Sequence, residues 1–567
     1  MSKNHAVQTP RAERWGSSLG VVLAVAGSAV GLGNFLRFPG QVVNHGGGAF
    51  MIPYVISLLI IALPISMTEW AMGRCGGRLG YHSPLGIYYA VSHKRTGWGI
   101  CGGLAALAPF VINMYYIFVE SWCLLYALQY LGGLLAPLGL SFSLFPHCEP
   151  GLYFTDASGY GEFFGSLVGI SENGVLFRSF KSSPLILATL ICAVANFALV
   201  YCGIAKGIER FCKIAAPLII LCSIIVIIRV VTLKNPTGAA GQSFLDGLGF
   251  MWNPTRDIIG ENGEIIGRTN IWQALADPET WLAATAQIFF TVSICLGAIS
   301  TYASYIKPKD DIALSSLTAT SANEFCEVVI AGFMTIPPAI MFLGVQSASN
   351  LGSSFSLGFV VLPNVFGLMP FGQFFGFVFF SLLFLAAITS SMSLVQPTVA
   401  LFQESFHWQR GSSVILAAFM NFIGSFIVCW YTQGLVALDV FDFWLANFTP
   451  IVFSIIQTSL IVFVWKLPAL QAEIDSGARV RIPRLLGYVV KYVSFPYLVC
   501  IAVFWGVRNL GDRFNEIRSN HVAQLSLGFF VVLIVLLTLL SMIVMKRWER
   551  EEARHKAISG QTSQDQS

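Results

Sequence analysis

Gly27-Ser28-Ala29-Val30-Gly31-Leu32-Gly33-Asn34 lies in the middle of the first long apolar run, at about residues 19–43. Three glycines within seven residues suit a helix interior poorly, since each costs about 1 kcal/mol relative to alanine. In a bilayer, backbone opened at that depth needs partners other than lipid, such as an ion, a ligand or water. A packing kink would use glycine too, so the stretch has two readings until its surroundings are known.

Those surroundings are apolar. Of 567 residues, 55% are hydrophobic and 11% charged, against about 25% charged in a soluble domain. Mean hydropathy is +0.70. A soluble enzyme, a disordered chain and a secreted disulfide scaffold are excluded, because none can keep so much apolar surface from water. Trp98–Val119, Trp281–Ile306 and Leu525–Met545 carry no charge. Such runs are too long and too uniform for barrel strands of about 10 alternating residues, so the spans are helices.

Twelve runs are expected, at about 19–43, 50–73, 98–133, 184–202, 208–232, 280–306, 316–345, 373–403, 412–430, 434–463, 486–508 and 524–546. An even number puts both termini on one side. That side carries 22 of the 33 Lys and Arg residues and the other side nine, so both termini are expected in the cytoplasm. The net charge of +4 follows from this bias and gives no reason to expect nucleic acid. The twelve cysteines have no metal spacing and read as small core residues. No cleavable signal peptide is expected. The largest outer loops, about 134–183 and 233–279, hold no Asn-x-Ser/Thr acceptor, which favours a bacterial cell membrane.

The sixth run has its own polar interruption, Thr291-Val292-Ser293-Ile294-Cys295-Leu296-Gly297. The first run opens one five-helix half and the sixth opens the next. Matching interruptions in corresponding helices point to an inverted repeat with a site at the membrane midplane. The expected organisation is a cytoplasmic segment at 1–18, a transporter core at 19–463 with repeats of about 19–232 and 280–463, two appended spans at 464–546 and a cytoplasmic tail at 547–567.

Other polar groups support a site. The eighth run reads Ala386-Ala387-Ile388-Thr389-Ser390-Ser391-Met392-Ser393, and the seventh holds Asn323 and Glu327 one turn apart. Hydroxyl, amide and carbonyl oxygens suit a hard alkali cation. Arg37, Glu69, Glu120 and Glu327 lie inside apolar runs, where a charge costs about 2.5–3.5 kcal/mol. Glu69 and Glu120 suit buried braces. Arg37 is placed to pair with Asp442 across an outer vestibule.

These residues resemble the neurotransmitter/sodium symporter family. Gly27 to Pro39 is almost the family signature. Glu69-Trp70-Ala71-Met72-Gly73-Arg74, Lys206-Gly207-Ile208-Glu209-Arg210, Gln287-Ile288-Phe289-Phe290-Thr291 and Thr389-Ser390-Ser391 also match, over a resemblance running from about Trp15 to the last span. It implies an all-α polytopic fold of twelve spans, with a five-plus-five inverted repeat and helices 1 and 6 broken. It also implies two sodium sites. One would use the carbonyls of Ala29 and Thr291 with the side chains of Asn34, Thr291 and Asn323. The other would use the carbonyls of Gly27, Val30 and Ala386 with the hydroxyls of Thr389 and Ser390. A substrate carboxylate would meet Tyr116 and the N–H groups near Leu32 and Gly33. Its amine would meet the carbonyls of Ala29, Phe290 and Thr291, and Ser293, with Ser28 and Ser390 alongside.

The resemblance also shapes the substrate. Gly31 stands where monoamine carriers of the family have an aspartate, so the substrate brings its own carboxylate. Glu327 replaces a neutral residue of chloride-dependent members, which implies chloride independence. Leu296, Cys295 and Leu394 stand where a leucine-carrying bacterial member has phenylalanine, glycine and isoleucine. Ile112, Phe290, Leu296 and Leu394 would form an uncharged wall for a neutral, aliphatic amino acid. Arg37 and Asp442 would form the outer gate, and Tyr305 and Glu404 the inner one, with Arg11 or Arg14 replacing a displaced arginine. No organic cofactor is implied, and a homo-oligomer stays open. A non-transporting sensor and a proton-coupled carrier using Glu69 or Glu327 are the competing functions. No nucleophile–base motif suggests an enzyme.

Overall fold

The computed structural model describes residues 13–145, 148–178, 184–233, 243–255, 257–259, 265–268, 270–349 and 354–564. Among them nine helices are long and apolar enough to cross a bilayer: Gly48–Arg78, Thr96–Leu134, Ile204–Val231, Ile312–Phe342, Gly372–Phe406, Arg410–Trp430, Gln433–Trp465, Leu485–Ser519 and His521–Arg554. The bent pair Leu19–Ala29 and Gly33–Asn44 adds the first span. Two further spans fall short of that length. The fourth, Leu185–Tyr201, has 17 residues and stops at Gly203, whose φ of 92° no helix accommodates. The sixth is cut into Pro278–Val292 and Ala298–Ser304. With these two, the twelve expected spans are present.

Local chemistry sets the helix starts. Ser17 caps the first span by accepting from Gly20 N at 3.0 Å. Asp277 accepts from Glu279 N at 3.1 Å, and Pro278 fills the first turn, where a missing N–H costs nothing. Asp311 does the same for the seventh span through Leu314 N at 2.9 Å.

The third and eighth spans pack along each other through the centre, the first lies against the seventh, and the second half of the sixth lies on the second. The last two spans are peripheral: only 28% of the apolar window of each is buried, and Val507 and Ile543 point outward. Both described ends lie on one face. Trp15 donates to Tyr302 O at 3.0 Å, and Trp548 packs on Tyr81, beside His82, which stacks on Tyr305.

The all-α expectation meets one local departure. The loop after the fifth span contains an antiparallel hairpin, Asp257–Ile259 paired with Ile265–Arg268, as well as the helix Phe244–Trp252. The charge-free stretch before the eighth span also folds, as the short apolar helix Leu357–Leu368.

Candidate functional site

Both polar interruptions are breaks in the backbone. The first helix ends at Ala29, Val30 takes φ −75° and ψ 91°, and helical structure resumes at Gly33, with a bend of 43° between the halves. In the sixth span Ser293, Cys295 and Gly297 are left-handed, at φ 55°, 62° and 72°. Two of these are not glycine, and a left-handed L-residue costs about 1–2 kcal/mol. The surroundings hold them there: Cys295 N donates to Glu69 Oε1 at 3.0 Å, tying the second span to the opened turn.

The first break needs glycine for close approach. A Cβ at Gly33 would lie 2.6 Å from the Phe290 ring, and one at Gly31 would lie 2.4 Å from Ser390 Oγ and 2.8 Å from the Tyr116 hydroxyl. The two broken spans and the eighth therefore touch at backbone level.

Asn34 is the hub of a buried polar cluster. Its Oδ1 accepts from Gly31 N at 2.8 Å. Its Nδ2 lies 3.1 Å from Thr291 Oγ1, 2.9 Å from Asn323 Oδ1 and 3.2 Å from Glu327 Oε2. Asn323 Nδ2 donates to Thr291 Oγ1 at 3.0 Å. Glu327 also accepts from Gln287 Nε2 at 2.7 Å and from the Thr291 hydroxyl. Asn34, Asn323 and Glu327 are wholly buried. These three donors to Glu327, from Asn34, Gln287 and Thr291, are neutral, although an ionised carboxylate this deep needs compensating positive charge. The donor set is rich in oxygen and contains no sulfur, which suits an alkali cation.

A second cluster joins the first span to the eighth. Ser390 Oγ donates to Ser28 O at 3.0 Å, and Ser28 Oγ donates to Ser393 Oγ at 2.5 Å. Thr389 Oγ1 donates to Ala386 O at 2.9 Å. A Cβ at Gly27 would lie 3.6 Å from Thr389 Cβ, so Gly27 and Thr389 face each other. The Tyr116 hydroxyl accepts from Leu32 N at 3.1 Å, inside the unwound segment. Glu120 lies behind this cluster, accepting from Asn196 Nδ2 at 2.9 Å and from Ser391 Oγ at 2.7 Å.

Leu32, Gly33, Tyr116 and Phe290 also line a vestibule of about 680 Å³ that reaches Arg37, His45, Asp439, Asp442 and Asn447. Ile112, Leu296 and Leu394 are buried and do not line it. Arg37 lies 4.5 Å above the Phe290 ring. Its approach to Asp442 is loose, at 3.9 Å, and its direct hydrogen bond goes to Asn447. Tyr115 donates to Asp442 Oδ1 at 2.7 Å. Sequence reasoning missed Asn447 and Tyr115; adjacency to Tyr116 was a signal for Tyr115, whereas Asn447, five residues beyond Asp442, carried none.

The opposite end is closed by contacts other than those expected. Among the described residues, Glu404 meets no arginine side chain through its carboxylate. It accepts from Ser83 N at 2.8 Å, from Ser83 Oγ at 2.5 Å and from His82 N. Arg14 is exposed, and Arg11 lies outside the described residues. Arg410 takes the bridging role, reaching Glu13 Oε2 at 2.9 Å, Gln396 Oε1 at 2.7 Å and Val200 O at 2.6 Å. Gln396 in turn reaches the Tyr305 hydroxyl at 3.4 Å. The expected pairing of Glu404 with Arg14 is not formed, and the loop after the second span folds back to supply the carboxylate's donors instead. His82 stacks on Tyr305 at 4.4 Å and contacts Ser304 Oγ at 2.9 Å. Burial pushes its imidazole down to about 4 from 6.5.

A model of the sodium:neurotransmitter symporter family matches residues 12–139 and 162–550. An uncharacterised sodium-dependent transporter of Methanocaldococcus jannaschii is 27% identical over 542 residues, covering 94% of this chain and 99% of that one. The sodium- and chloride-dependent GABA transporter 2 of Homo sapiens is 27% identical over 502 residues, covering 82% and 74%. The crystal structure of MhsT in complex with L-phenylalanine aligns with a TM-score of 0.70 at 27% identity, covering 87% of this chain and 99% of that one.

Proposed function

The chain belongs to the sodium:neurotransmitter symporter family, and from that premise we propose that it carries a neutral, aliphatic amino acid into the cell with two sodium ions, independently of chloride. It is a multi-pass membrane transporter that uses sodium, and not an enzyme. The observation that carries the reading is the junction of the two broken spans. Backbone from both, the amides of Asn34 and Asn323, the Thr291 hydroxyl and the Glu327 carboxylate converge there.

In this reading the first sodium binds among Ala29 O, Thr291, Asn34 and Asn323. The second binds among Gly27 O, Val30 O, Ala386 O, Thr389 and Ser390. The substrate carboxylate lies by Tyr116, Leu32 and Gly33, and its amine lies by Ala29, Phe290, Thr291 and Ser293, with Ser28 and Ser390 alongside. Ile112, Phe290, Leu296 and Leu394 enclose an uncharged side chain. The L-phenylalanine bound by MhsT supports an uncharged amino acid. Glu327 supplies the negative charge that chloride-dependent relatives take from solution.

Sodium is the cargo that pulls. It orders the unwound segment of the first span, and contact between the carboxylate and the first ion couples the two ligands. Phe290 covers the site, Arg37 settles above it, and release follows opening of the face where the termini lie. That face is cytoplasmic in this reading, and the repeats run over about 19–232 and 280–463. Two charges moving through 100 mV supply about 4.6 kcal/mol, enough for roughly thousandfold accumulation.

The test is uptake of a panel of amino acids into proteoliposomes, with sodium or choline outside. Uptake of neutral amino acids in sodium and none in choline supports the reading, and chloride replacement should leave it unchanged. Sodium-dependent binding without uptake would indicate a sensor. Uptake on a pH gradient alone would indicate a proton-coupled carrier.

A further inference from the structure

The vestibule gate has an extra member. Arg37 and Asp442 are too far apart for a hydrogen bond, with Arg37 Nη1 at 3.9 Å from Asp442 Oδ2. Asn447 fills the gap. Its Oδ1 accepts from Arg37 Nη2, and its Nδ2 donates to Asp442 Oδ2 at 3.0 Å and to Asp442 O at 3.2 Å. Tyr115 anchors the far side of the carboxylate at 2.7 Å.

The polarity fits an amide. One side chain accepts from the cation and donates twice to Asp442, at its carboxylate and at its carbonyl, which asparagine can do and a hydroxyl's single O–H or a carboxylate cannot. The backbone makes this possible. Asp442–Phe448 is a wide π-turn rather than an α-helical one. In a regular α-helix, residues five apart point about 140° away from each other. The wide turn closes at i→i+5 and brings both side chains to the same cavity. Arg37, held by Asn447, lies over Phe290, the residue that backs onto Gly33.

We propose that Asn447 is a positioning residue of the vestibule gate. It joins Arg37 to Asp442 and so holds the guanidinium over Phe290 when the vestibule side closes. The transport consequence rests on the function proposed above, but the closure itself is measurable without substrate. The bland alternative is that Asn447 only ties off the π-turn through Asp442 O.

The test places a reporter cysteine at Ala286, which lines the vestibule one turn from Phe290. Purified full-length Ala286→Cys protein is labelled with a small maleimide in choline buffer without amino acid. The rate is read by mass spectrometry with fragmentation that localises the adduct to position 286, which separates it from the buried Cys295 on the same tryptic peptide. Adding Asn447→Ala should raise the rate roughly tenfold, the factor that about 1.4 kcal/mol represents. The isosteric Asn447→Asp should do the same, because its carboxylate cannot donate to Asp442. In an Arg37→Gln background, Asn447→Ala should add nothing further. Unchanged labelling in either Asn447 variant, or factors that multiply with Arg37→Gln, would overturn the proposal. Failure of wild-type uptake in sodium would sink the transport reading and leave these rates standing.

Discussion

Asn34 in the unwound stretch of the first span and Glu327 in the seventh lie 3.2 Å apart, amide to carboxylate, and both are shut off from solvent. The contact links a backbone break to a buried carboxyl group. In the proposed function that group would complete the surroundings of the first ion and offset its charge.

Asn34→Ala should therefore weaken sodium and substrate together. The change removes the acceptor for Gly31 N and the links to Thr291, Asn323 and Glu327. A buried polar group left unpaired costs about 1–3 kcal/mol, so each apparent affinity should fall roughly tenfold or more. Calorimetric titration of each ligand at fixed levels of the other is the check, and loss of only one would contradict a shared site.

Tyr116→Phe keeps the ring and removes only the hydroxyl, which holds Leu32 N at 3.1 Å. Substrate affinity should drop by about tenfold, as for loss of a hydrogen bond to a charged group, while sodium binding in the absence of substrate changes little. Equilibrium binding of radiolabelled amino acid decides it. Normal binding would move the carboxylate elsewhere.

Glu327→Ser should make uptake depend on chloride. The carboxylate accepts from Gln287, Thr291 and Asn34, and a chloride ion can take over donors of that kind. Uptake by the variant should be low in gluconate and recover in chloride, whereas the parent should ignore the swap. A variant equally active, or equally dead, in both anions would remove the charge-replacement role.

His82 should make the closed face at the termini sensitive to acid. Its pKa is pushed down to about 4 by burial, below the ordinary 6.5. The opened or unfolded state thus binds the proton more readily than the closed one. The contribution is complete above pH 6.5 and is lost as pH falls toward 4. His82→Phe keeps the stack on Tyr305 and removes the titration. Between pH 7 and 5 the thermal midpoint of the parent should fall further than that of the variant; parallel curves would rule the histidine out.

The charge-free runs revealed most of the fold because bilayer thickness sets a length that only long helices meet, and the glycines and serines inside them marked the breaks. Asn323 and Glu327 were legible as a pair because helical periodicity puts them on one face. The contacts that close the face where the termini lie were not. Arg410 meets Glu13, Gln396 and Val200, and two of those partners are about 200 or more positions away, where no local pattern connects them. Asn447 was hidden for another reason: its register with Asp442 depends on a π-turn, and α-helical spacing would have sent the two apart.

What the sequence settled alone was therefore local and periodic: which segments bury themselves in lipid, where helices cannot continue, and which polar groups share a helical face. What only the tertiary structure decided was which distant groups satisfy one another. Glu404 turned to His82 and Ser83, and Arg37 reached Asp442 through Asn447. The physical reason is that burial in lipid is an energy each segment feels by itself. A hydrogen bond between remote side chains exists only once the packing has fixed both ends within about 3 Å.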